Sequence, residues 1–287
     1  MGADFSWKRA TFAGFGVLRH EPGALLTWTL VALVFALVDQ VLDVNGEILR
    51  TAGGAAGYLL LKSLLRGAII AVGMGVLSAA VYRAVLNPGG EARGHTRFGL
   101  GEIRLALLWG LQGAALVVAE VVAIVPLALL SPKSYGYNDV GYWIAIVTTQ
   151  LLVLLAWGWM LARLALAGPM TIATGRWSGP EAWGLTRGRA WRIAGVHLVV
   201  VIGLAAVFAI WNALYGVVAT AVVPGFSVSM LQTAASPADL FTPVKLVFTL
   251  LNAVLGAAAA AVLYAPAAAI YRDLAPDSSA DQVAVFD

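Results

Sequence analysis

Three long apolar stretches of the chain end alike: in YRAVLNP at residues 82–88, in ARLALAGP at residues 162–169 and in YRDLAP at residues 271–276. In each ending, an arginine follows the apolar stretch and a proline comes a few residues later. Arginine is common where a span leaves the membrane, and proline ends a helix because it lacks the backbone N–H group. A basic segment with aromatic or aliphatic residues and a first apolar stretch precede each ending. The repeat therefore predicts three helical hairpins in a membrane.

The composition argues against a soluble protein. The chain has 287 residues, of which 61% are hydrophobic and 11% are charged, and its mean hydropathy is +0.86. Soluble domains carry roughly 25% charged residues. The net charge of +3 does not indicate a nucleic-acid partner, because the basic residues lie beside apolar stretches, as in membrane proteins. Cysteine is absent, which excludes disulfides and cysteine-ligated metals.

The predicted fold class is all-α: a polytopic membrane protein with six transmembrane helices, arranged as three pseudo-repeated hairpins with interfacial amphipathic helices. A membrane-crossing helix needs about 20 apolar residues. Spans 1 to 6 are placed near residues 23–44, 57–86, 105–130, 141–166, 191–222 and 243–271. A single membrane domain is expected over residues 1–287, with hairpins at 5–88, 91–169 and 180–276 and a mobile acidic tail at 277–287.

The basic residues are distributed unevenly, and their distribution predicts the orientation. One end of the hairpins holds Lys8, Arg9, Arg19, Arg83, Arg93, Arg97, Arg104, Arg163, Arg176, Arg187, Arg189, Arg192 and Arg272. The other end holds Arg50, Lys133 and Lys245. Cytoplasmic loops carry the excess of lysine and arginine. We therefore expect a bacterial inner-membrane protein with both termini in the cytoplasm and with outer connections near residues 45–56, 131–140 and 223–242.

Small residues recur within the spans and predict close packing of helices. Glycine and alanine let two helix backbones approach each other, and packing within the bundle is favoured over a dimer contact. These residues are Gly73 and Gly75 in span 2, Gly110 and Gly113 in span 3, and Ala257–Ala261 with Gly256 in span 6.

The segments before the hairpins, at residues 5–20, 91–104 and 180–192, mix basic residues with aromatic or aliphatic ones. They fit either short helices in the headgroup layer or ordinary cytoplasmic loops, and the pattern favours the helices. Membrane lipids with anionic headgroups are the expected partners. The predicted headgroup contacts are Lys8, Arg9, Arg93, Arg97, Arg187 and Arg189.

Spans 1 and 2 carry charged residues in matching positions. Asp39 and Asp43 lie four residues apart in span 1, and so do Lys62 and Arg66 in span 2, so each pair occupies one helix face. In an antiparallel hairpin that places Asp43 opposite Lys62, Asp39 lies opposite Arg66. Because charges within a membrane need partners, two ion pairs are expected across the first hairpin.

Further polar residues fall at a similar depth. At 1.5 Å per residue from the basic end of each span, Asp39 lies at ~24 Å, Arg66 at ~28 Å, Glu120 at ~22 Å and Gln150 at ~24 Å. The polar layer of Asp39, Asp43, Lys62, Arg66, Glu120 and Gln150 has three interpretations. These groups satisfy one another and lock the hairpins, or they line a pocket open to the periplasm. Alternatively, residues 47–66 lie on the outer surface and face headgroups.

The sequence lacks the motifs of common enzymes. It has no His-Glu-x-x-His pair, no Gly-x-Ser-x-Gly turn and no glycine-rich phosphate loop with lysine. The histidines at positions 20, 95 and 197 are far apart and have no carboxylate at ligand spacing, so no metal and no cofactor are expected.

Two parts of the chain resemble a known family. The stretch AWGLTRG-RAWRIAG at residues 182–195 and the ending YRDL at residues 271–274 resemble elements of the six-span glycerophosphoryl diester phosphodiesterase membrane domain and of related uncharacterised bacterial proteins. The resemblance in layout covers the membrane region, and it implies six spans. That family is sometimes fused to a soluble phosphodiesterase barrel, for which this chain has no matching segment. The resemblance therefore implies no enzymatic activity and carries over no site residues.

The first functional hypothesis is a non-enzymatic inner-membrane protein that binds lipid or a protein partner as a scaffold. The alternative is a transporter or channel-like protein that uses the polar layer as a pocket. An intramembrane enzyme ranks third, because no arrangement of nucleophile and base is visible.

Overall fold

The computed structural model describes residues 5–44, 46–88, 95–134, 140–227, 231 and 237–275, and within them it leaves out the side chains of residues 43–60 and 124–134. Every regular element in the described part of the chain is a helix. The helices are α1 (Trp7–Thr11), α2 (Ala13–His20), α3 (Pro22–Val44), α4 (Gly46–Leu86), α5 (Leu100–Ser134), α6 (Val140–Leu164), α7 (Ala167–Thr174), α8 (Gly179–Leu185), α9 (Ala190–Val222), α10 (Pro237–Leu240) and α11 (Pro243–Leu274). The predicted tail at 277–287 lies outside the described residues.

Six helical stretches among the described residues are long and apolar enough to cross a membrane. They are Pro22–Leu42, Leu61–Leu86, Leu100–Ala123, Val140–Thr174, Ala190–Val222 and Pro243–Leu274. The helices of each predicted hairpin pack together: α3 with α4, α5 with α6, and α9 with α11. The all-α, polytopic membrane fold is thereby confirmed. The fold satisfies backbone N–H and C=O groups within each helix, as the water-free interior of a membrane requires.

The three repeated endings stop helices, as predicted. Helix α4 ends at Leu86, α6 at Leu164 and α11 at Leu274, so each helix ends one to three residues after the repeated arginine. In the second ending, the chain begins the new helix α7 at Ala167, with Pro169 in its first turn. Proline is tolerated there because the first N–H groups of a helix have no partner within the helix.

The structure adds to two expectations about local structure. Residues 46–56, expected to lie in the first outer connection, are helical and form the beginning of α4, which begins at Gly46 and runs for 41 residues. The candidate span within α4 is Leu61–Leu86, so the position of residues 46–56 outside the membrane stays a prediction. At 1.5 Å per residue this helix is about 60 Å long, twice the thickness of the hydrocarbon core. The segment before span 3 forms no α-helix at residues 95–99, and α5 begins at Leu100. Helices do form in the first segment, as α1 and α2, and in the third, as α8.

The long helices have a common basic end, formed by the C-termini of α4, α6 and α11 and by the N-termini of α3, α5 and α9. The short helices α1, α2, α7 and α8 pack around this end. The largest fully buried side chains lie in its half of the bundle and include Trp28, Tyr82, Leu105, Ile193 and Ile270. By contrast, leucine, valine and isoleucine residues on α5, α6 and α9 are exposed along the outer faces. Such faces are typical of helices that contact lipid chains.

Helix α11 lies at the centre of the basic half. It packs against α1, α2, α3, α4, α7 and α9. Its residues from Ala257 to Tyr271 are mostly buried, and most of them are alanine. Alanine side chains let neighbouring helix backbones approach closely, and this packing confirms the expectation for span 6.

Helices α2 and α11 approach each other closely. A Cβ atom added to Gly14 would lie 2.4 Å from the Cα atom of Val262 and 2.6 Å from the carbonyl oxygen of Ala261. Pro266 follows within the same helix, and its missing N–H group leaves the carbonyl of Val262 without its usual helical donor. Gly14 of α2 therefore packs against the turn of α11 in which Pro266 removes a backbone hydrogen bond.

A second close contact joins α4 to α5. A Cβ atom at Gly75 would lie 2.7 Å from the backbone nitrogen of Ala106 and 2.9 Å from the carbonyl oxygen of Glu102. At Gly113 and Gly256 such an atom would meet nothing within 4 Å. The prediction of close packing at small residues is therefore confirmed at Gly75, whereas Gly113 and Gly256 make no such contact.

We expect Gly14→Ala to destabilise the protein, because the added methyl group would overlap the backbone of α11. Overpacking of this kind costs about 1–3 kcal/mol. The matched control is Gly16→Ala in the same helix, where an added Cβ would meet nothing within 4 Å. The midpoint of thermal unfolding of the purified protein in detergent should fall for Gly14→Ala and stay level or rise for Gly16→Ala. Equal midpoints for the two variants would contradict the packing of α2 on α11.

Candidate functional site

The repeated arginine of the first ending forms an ion pair at the basic end. Arg83 Nη2 lies 2.5 Å from Glu102 Oε1. Its Nη1 donates a hydrogen bond to the carbonyl oxygen of His95 at 3.0 Å. The side chain of Glu102 is 5% exposed and that of Arg83 is 21% exposed. This pair ties the end of α4 to the beginning of α5.

Glu102 also caps α5. It lies in the first turn of that helix, and its Oε2 accepts a hydrogen bond from the backbone N–H of Gly99 at 3.0 Å. A glutamate at this position commonly reaches back to the residue before the helix and satisfies its N–H group. Its negative charge is also favoured there by the dipole of the helix.

His95 completes this corner. Its backbone has φ of +53°, a left-handed conformation that costs a residue other than glycine about 1–3 kcal/mol. The ring is buried, and its Nε2 lies 3.9 Å from Glu21 Oε1. Because Arg83 binds its carbonyl and Glu21 faces its ring, the segment leading into α5 is held from two sides.

The repeated arginine of the second ending stacks on tryptophan. The Arg163 guanidinium lies 4.6 Å from the ring centre of Trp183 and 5.9 Å from that of Trp159. The carbonyl oxygen of Arg163 accepts a hydrogen bond from Thr186 Oγ1 at 2.9 Å. Arg163 is buried, so the attraction between the cation and the rings acts with little water present. This contact fixes α8 against α6.

The repeated arginine of the third ending joins α11 to α4. Arg272 Nη1 donates a hydrogen bond to the carbonyl oxygen of Val85 at 3.1 Å. That carbonyl belongs to the last turn of α4, where it has no donor within the helix. The neighbouring Asp273 lies 3.6 Å from Arg9 of α1. The sequence indicated that the three arginines were repeated, but it did not predict any of these partners.

The predicted headgroup contacts differ in their surroundings. Lys8, Arg97 and Arg187 are exposed, Arg189 is half-buried, and Arg9 is exposed while facing Asp273. Arg93 lies outside the described residues. Several aromatic residues of the same segments are exposed as well: Phe12 by 61%, Phe15 by 55% and Trp191 by 75%, whereas Phe5 is buried. The basic end therefore presents cations and aromatic rings side by side.

In the polar layer, the structure confirms one predicted ion pair. Arg66 Nη2 lies 2.7 Å from Asp39 Oδ2, in the register that the spacing indicated. The side chain of Asp43 lies outside the described residues, so its pairing with Lys62 stays a prediction. Lys62 itself is half-buried.

The polar layer extends to α11 through residues that sequence analysis did not assign to it. Gln40 Nε2 donates a hydrogen bond to Thr249 Oγ1 at 2.7 Å, which joins α3 to α11. Lys245 precedes Thr249 by one helical turn and is 4% exposed. The sequence contains one pattern that could have indicated these residues. Lys245 and Thr249 are four residues apart, which places them on one face of span 6.

Glu120 and Gln150 are half-buried on α5 and α6. Within the part of the chain that the structure describes, no hydrogen bond or ion pair joins either of them to Asp39 or Arg66. The expectation that polar side chains from four spans form one layer at a common depth therefore stays a prediction. Among the described residues, no three His, Asp or Glu side chains lie close enough together to hold a metal ion.

Comparison with protein-family models, with curated proteins and with solved structures finds no match to this chain. The resemblance to the glycerophosphoryl diester phosphodiesterase membrane domain therefore stays a prediction from short motifs. The conclusion that the comparisons and the structure support is an integral membrane protein of six apolar helical spans.

We expect Arg83→Leu to destabilise the protein by about 3–5 kcal/mol, because it leaves the buried Glu102 carboxylate without its cation. The double variant Arg83→Leu/Glu102→Leu leaves no buried charge without a partner, so it should recover most of the lost stability. It should remain about 1 kcal/mol less stable than the unmodified protein, because Glu102 no longer caps α5. Equilibrium unfolding in mixed micelles measures the free energy of unfolding. The matched control Arg97→Gln removes an exposed charge near the same corner and should change it little. A double variant as unstable as Arg83→Leu would contradict the ion pair.

Proposed function

We propose that this chain is a non-enzymatic scaffold protein of the bacterial inner membrane, whose basic end binds anionic lipid headgroups. The observation that carries the proposal is the combination of exposed aromatic rings and exposed cations on the helices around that end. Phe12, which lies between α1 and α2, and Phe15 of α2 are both more than half exposed. The exposed Arg19 lies one helical turn after Phe15. Rings that are apolar and cations that need water are both accommodated where headgroups meet the hydrocarbon.

The charge of this surface supports a preference for anionic lipid. Lys8, Arg97 and Arg187 come from three different segments of the chain and are all exposed. A basic residue near an anionic membrane surface contributes about 1 kcal/mol of attraction. Three such residues, with others nearby, are enough to discriminate anionic from zwitterionic headgroups.

The buried charges of the basic end support binding rather than catalysis. Arg83 has Glu102 as its partner, and Arg163 lies against two tryptophan rings. These contacts hold α5 and α8 in place. The charged groups that remain on the surface are spread over several segments of the chain, as suits the recognition of a charged surface.

The orientation belongs to the same proposal. The basic end carries the repeated arginines and the exposed cations, and lysine and arginine are concentrated on the cytoplasmic side of membrane proteins. The scaffold would therefore contact the cytoplasmic leaflet, with both termini in the cytoplasm. A protein partner at this surface would be recognised through the same cations and aromatic rings.

The proposal predicts that the double variant Arg97→Gln/Arg187→Gln loses preference for anionic lipid. The protein is reconstituted in nanodiscs of equal parts phosphatidylglycerol and phosphatidylcholine and then extracted. Native mass spectrometry of the extract gives the ratio of the two lipids that remain bound. Because each near-surface charge contributes about 1 kcal/mol, the ratio should fall by about fivefold or more.

The matched control is Arg50→Gln/Lys133→Gln, which also removes two positive charges. Both residues are expected at the end of the hairpins opposite to the basic end. This control should leave the ratio unchanged. A ratio that is unaffected by the first double variant, or lowered equally by both, would refute lipid recognition at the basic end.

A further inference from the structure

A groove lies between α5 and α6 near the basic end. Its volume is about 230 Å³, and it is open on one side. Its walls are almost entirely apolar, and they come from both helices and from the segment that joins α7 to α8. The lining residues are Leu108, Leu111, Gln112, Ala115, Met160, Leu164, Trp177 and Gly179.

The groove runs along the membrane-spanning part of α5. Leu108, Gln112 and Ala115 follow one another at helical spacing on one face, so at 1.5 Å per residue the groove is about 10 Å long. Leu111 at its edge is 60% exposed, whereas Leu108 is buried. Because the exposed faces of α5 and α6 are apolar, the open side of the groove faces lipid chains rather than water.

Two arginines lie beyond the end of the groove that is nearer the basic end. Arg104 precedes Leu108 by one turn on the same face of α5 and donates a hydrogen bond to the carbonyl oxygen of Gly175. The next residue, Arg176, is exposed and precedes the groove residue Trp177. A molecule in the groove would therefore have the part that lies deeper in the membrane among apolar side chains. Its part nearer the basic end would lie beside two cations.

The groove contains one polar side chain, and that side chain is buried. Gln112 is 6% exposed, and its Oε1 atom accepts no hydrogen bond from any residue that the structure describes. It lies two turns deeper than Arg104, about 12 Å along the helix. A headgroup layer is only ~5–8 Å thick, so water is scarce at that depth. A buried amide without a partner costs free energy, and a ligand with a polar atom at this depth would remove the cost.

We propose that this groove binds one acyl chain of an anionic phospholipid from the leaflet at the basic end. The phosphate lies by Arg104 and Arg176, and the glycerol part lies beside Leu108. The chain runs deeper from there, against Leu111, Ala115 and Met160. An ester carbonyl at the top of the chain accepts a hydrogen bond from the Gln112 amide group, whose oxygen and nitrogen exchange places by rotation. The site rests on the proposed function and makes it specific, since it adds a defined pocket to a charged surface.

A photoreactive lipid tests this site directly. The protein is reconstituted with phosphatidylglycerol that carries a diazirine near the ester end of its acyl chain, or with the matching phosphatidylcholine. After illumination, mass spectrometry of peptides locates the cross-links. We expect labelling to concentrate at residues 108–115 and 160–164 and to be stronger with phosphatidylglycerol.

Variants separate the contributions of chain and headgroup. Leu111→Trp narrows the groove and should lower labelling there about tenfold, equivalent to about 1.4 kcal/mol. Its matched control is Leu107→Trp, at a leucine of the same helix that is 57% exposed but does not line the groove. It should leave labelling unchanged. Arg104→Gln should reduce the difference between the two lipids, because only Arg176 then faces the phosphate, while the chain of either lipid still labels the groove.

The outcomes distinguish this site from the broader proposal. Labelling spread evenly over the lipid-facing helices, or unaffected by Leu111→Trp, overturns the groove. If the whole protein still retains phosphatidylglycerol preferentially in that case, the proposed function stands without this site. If the unmodified protein shows no preference between the two lipids, both are overturned. The thermal unfolding midpoints of the two tryptophan variants should match, so that lost labelling reports the site rather than the fold.

Discussion

The structure depends on how closely helices approach the alanine-rich half of α11. Where Ala257, Ala261 and Ala265 line that helix, neighbouring backbones come close enough that Gly14 has no space for a Cβ atom. In a membrane, lipid chains are as apolar as leucine, so burying a large apolar side chain gains little and close packing contributes more. The short helices α1 and α2 therefore dock on a membrane-spanning helix mainly through close backbone packing.

This close packing makes the two ends of the bundle different. The basic half contains the buried aromatic residues and the three repeated arginines, each with a partner on a neighbouring segment. Arg83 holds the start of α5 through Glu102, Arg163 holds α8 through Trp183, and Arg272 holds the end of α4. These three arginines tie together the segments around the basic end. The exposed cations on those segments therefore lie on a rigid surface. The proposed lipid contacts depend on that rigidity, since a preorganised site loses less conformational entropy when a ligand binds.

Sequence reasoning predicted the parts of this fold that follow from one-dimensional patterns. Hydropathy placed the spans, and the spacing of four residues gave the Asp39–Arg66 pair in its correct register. Patterns of that kind do not encode three-dimensional partners. The pairing of Arg83 with Glu102 joins the end of α4 to the beginning of α5 between residues 19 positions apart in the sequence. The groove beside Gln112 arises only when α5, α6 and the segment after α7 meet. The start of α4 was missed because glycine and charged residues there resemble a loop, although backbone hydrogen bonding continues the helix.

The central claim is that the basic end is the lipid-binding end. The most direct measurement is a cryo-electron microscopy structure of the protein, bound to an antibody fragment that increases its size, in nanodiscs rich in phosphatidylglycerol. The account predicts an ordered lipid with its phosphate beside Arg104 and its chain along α5. Ordered lipid confined to the opposite end, near Lys245, with the groove at Gln112 empty or closed by side chains, would contradict it.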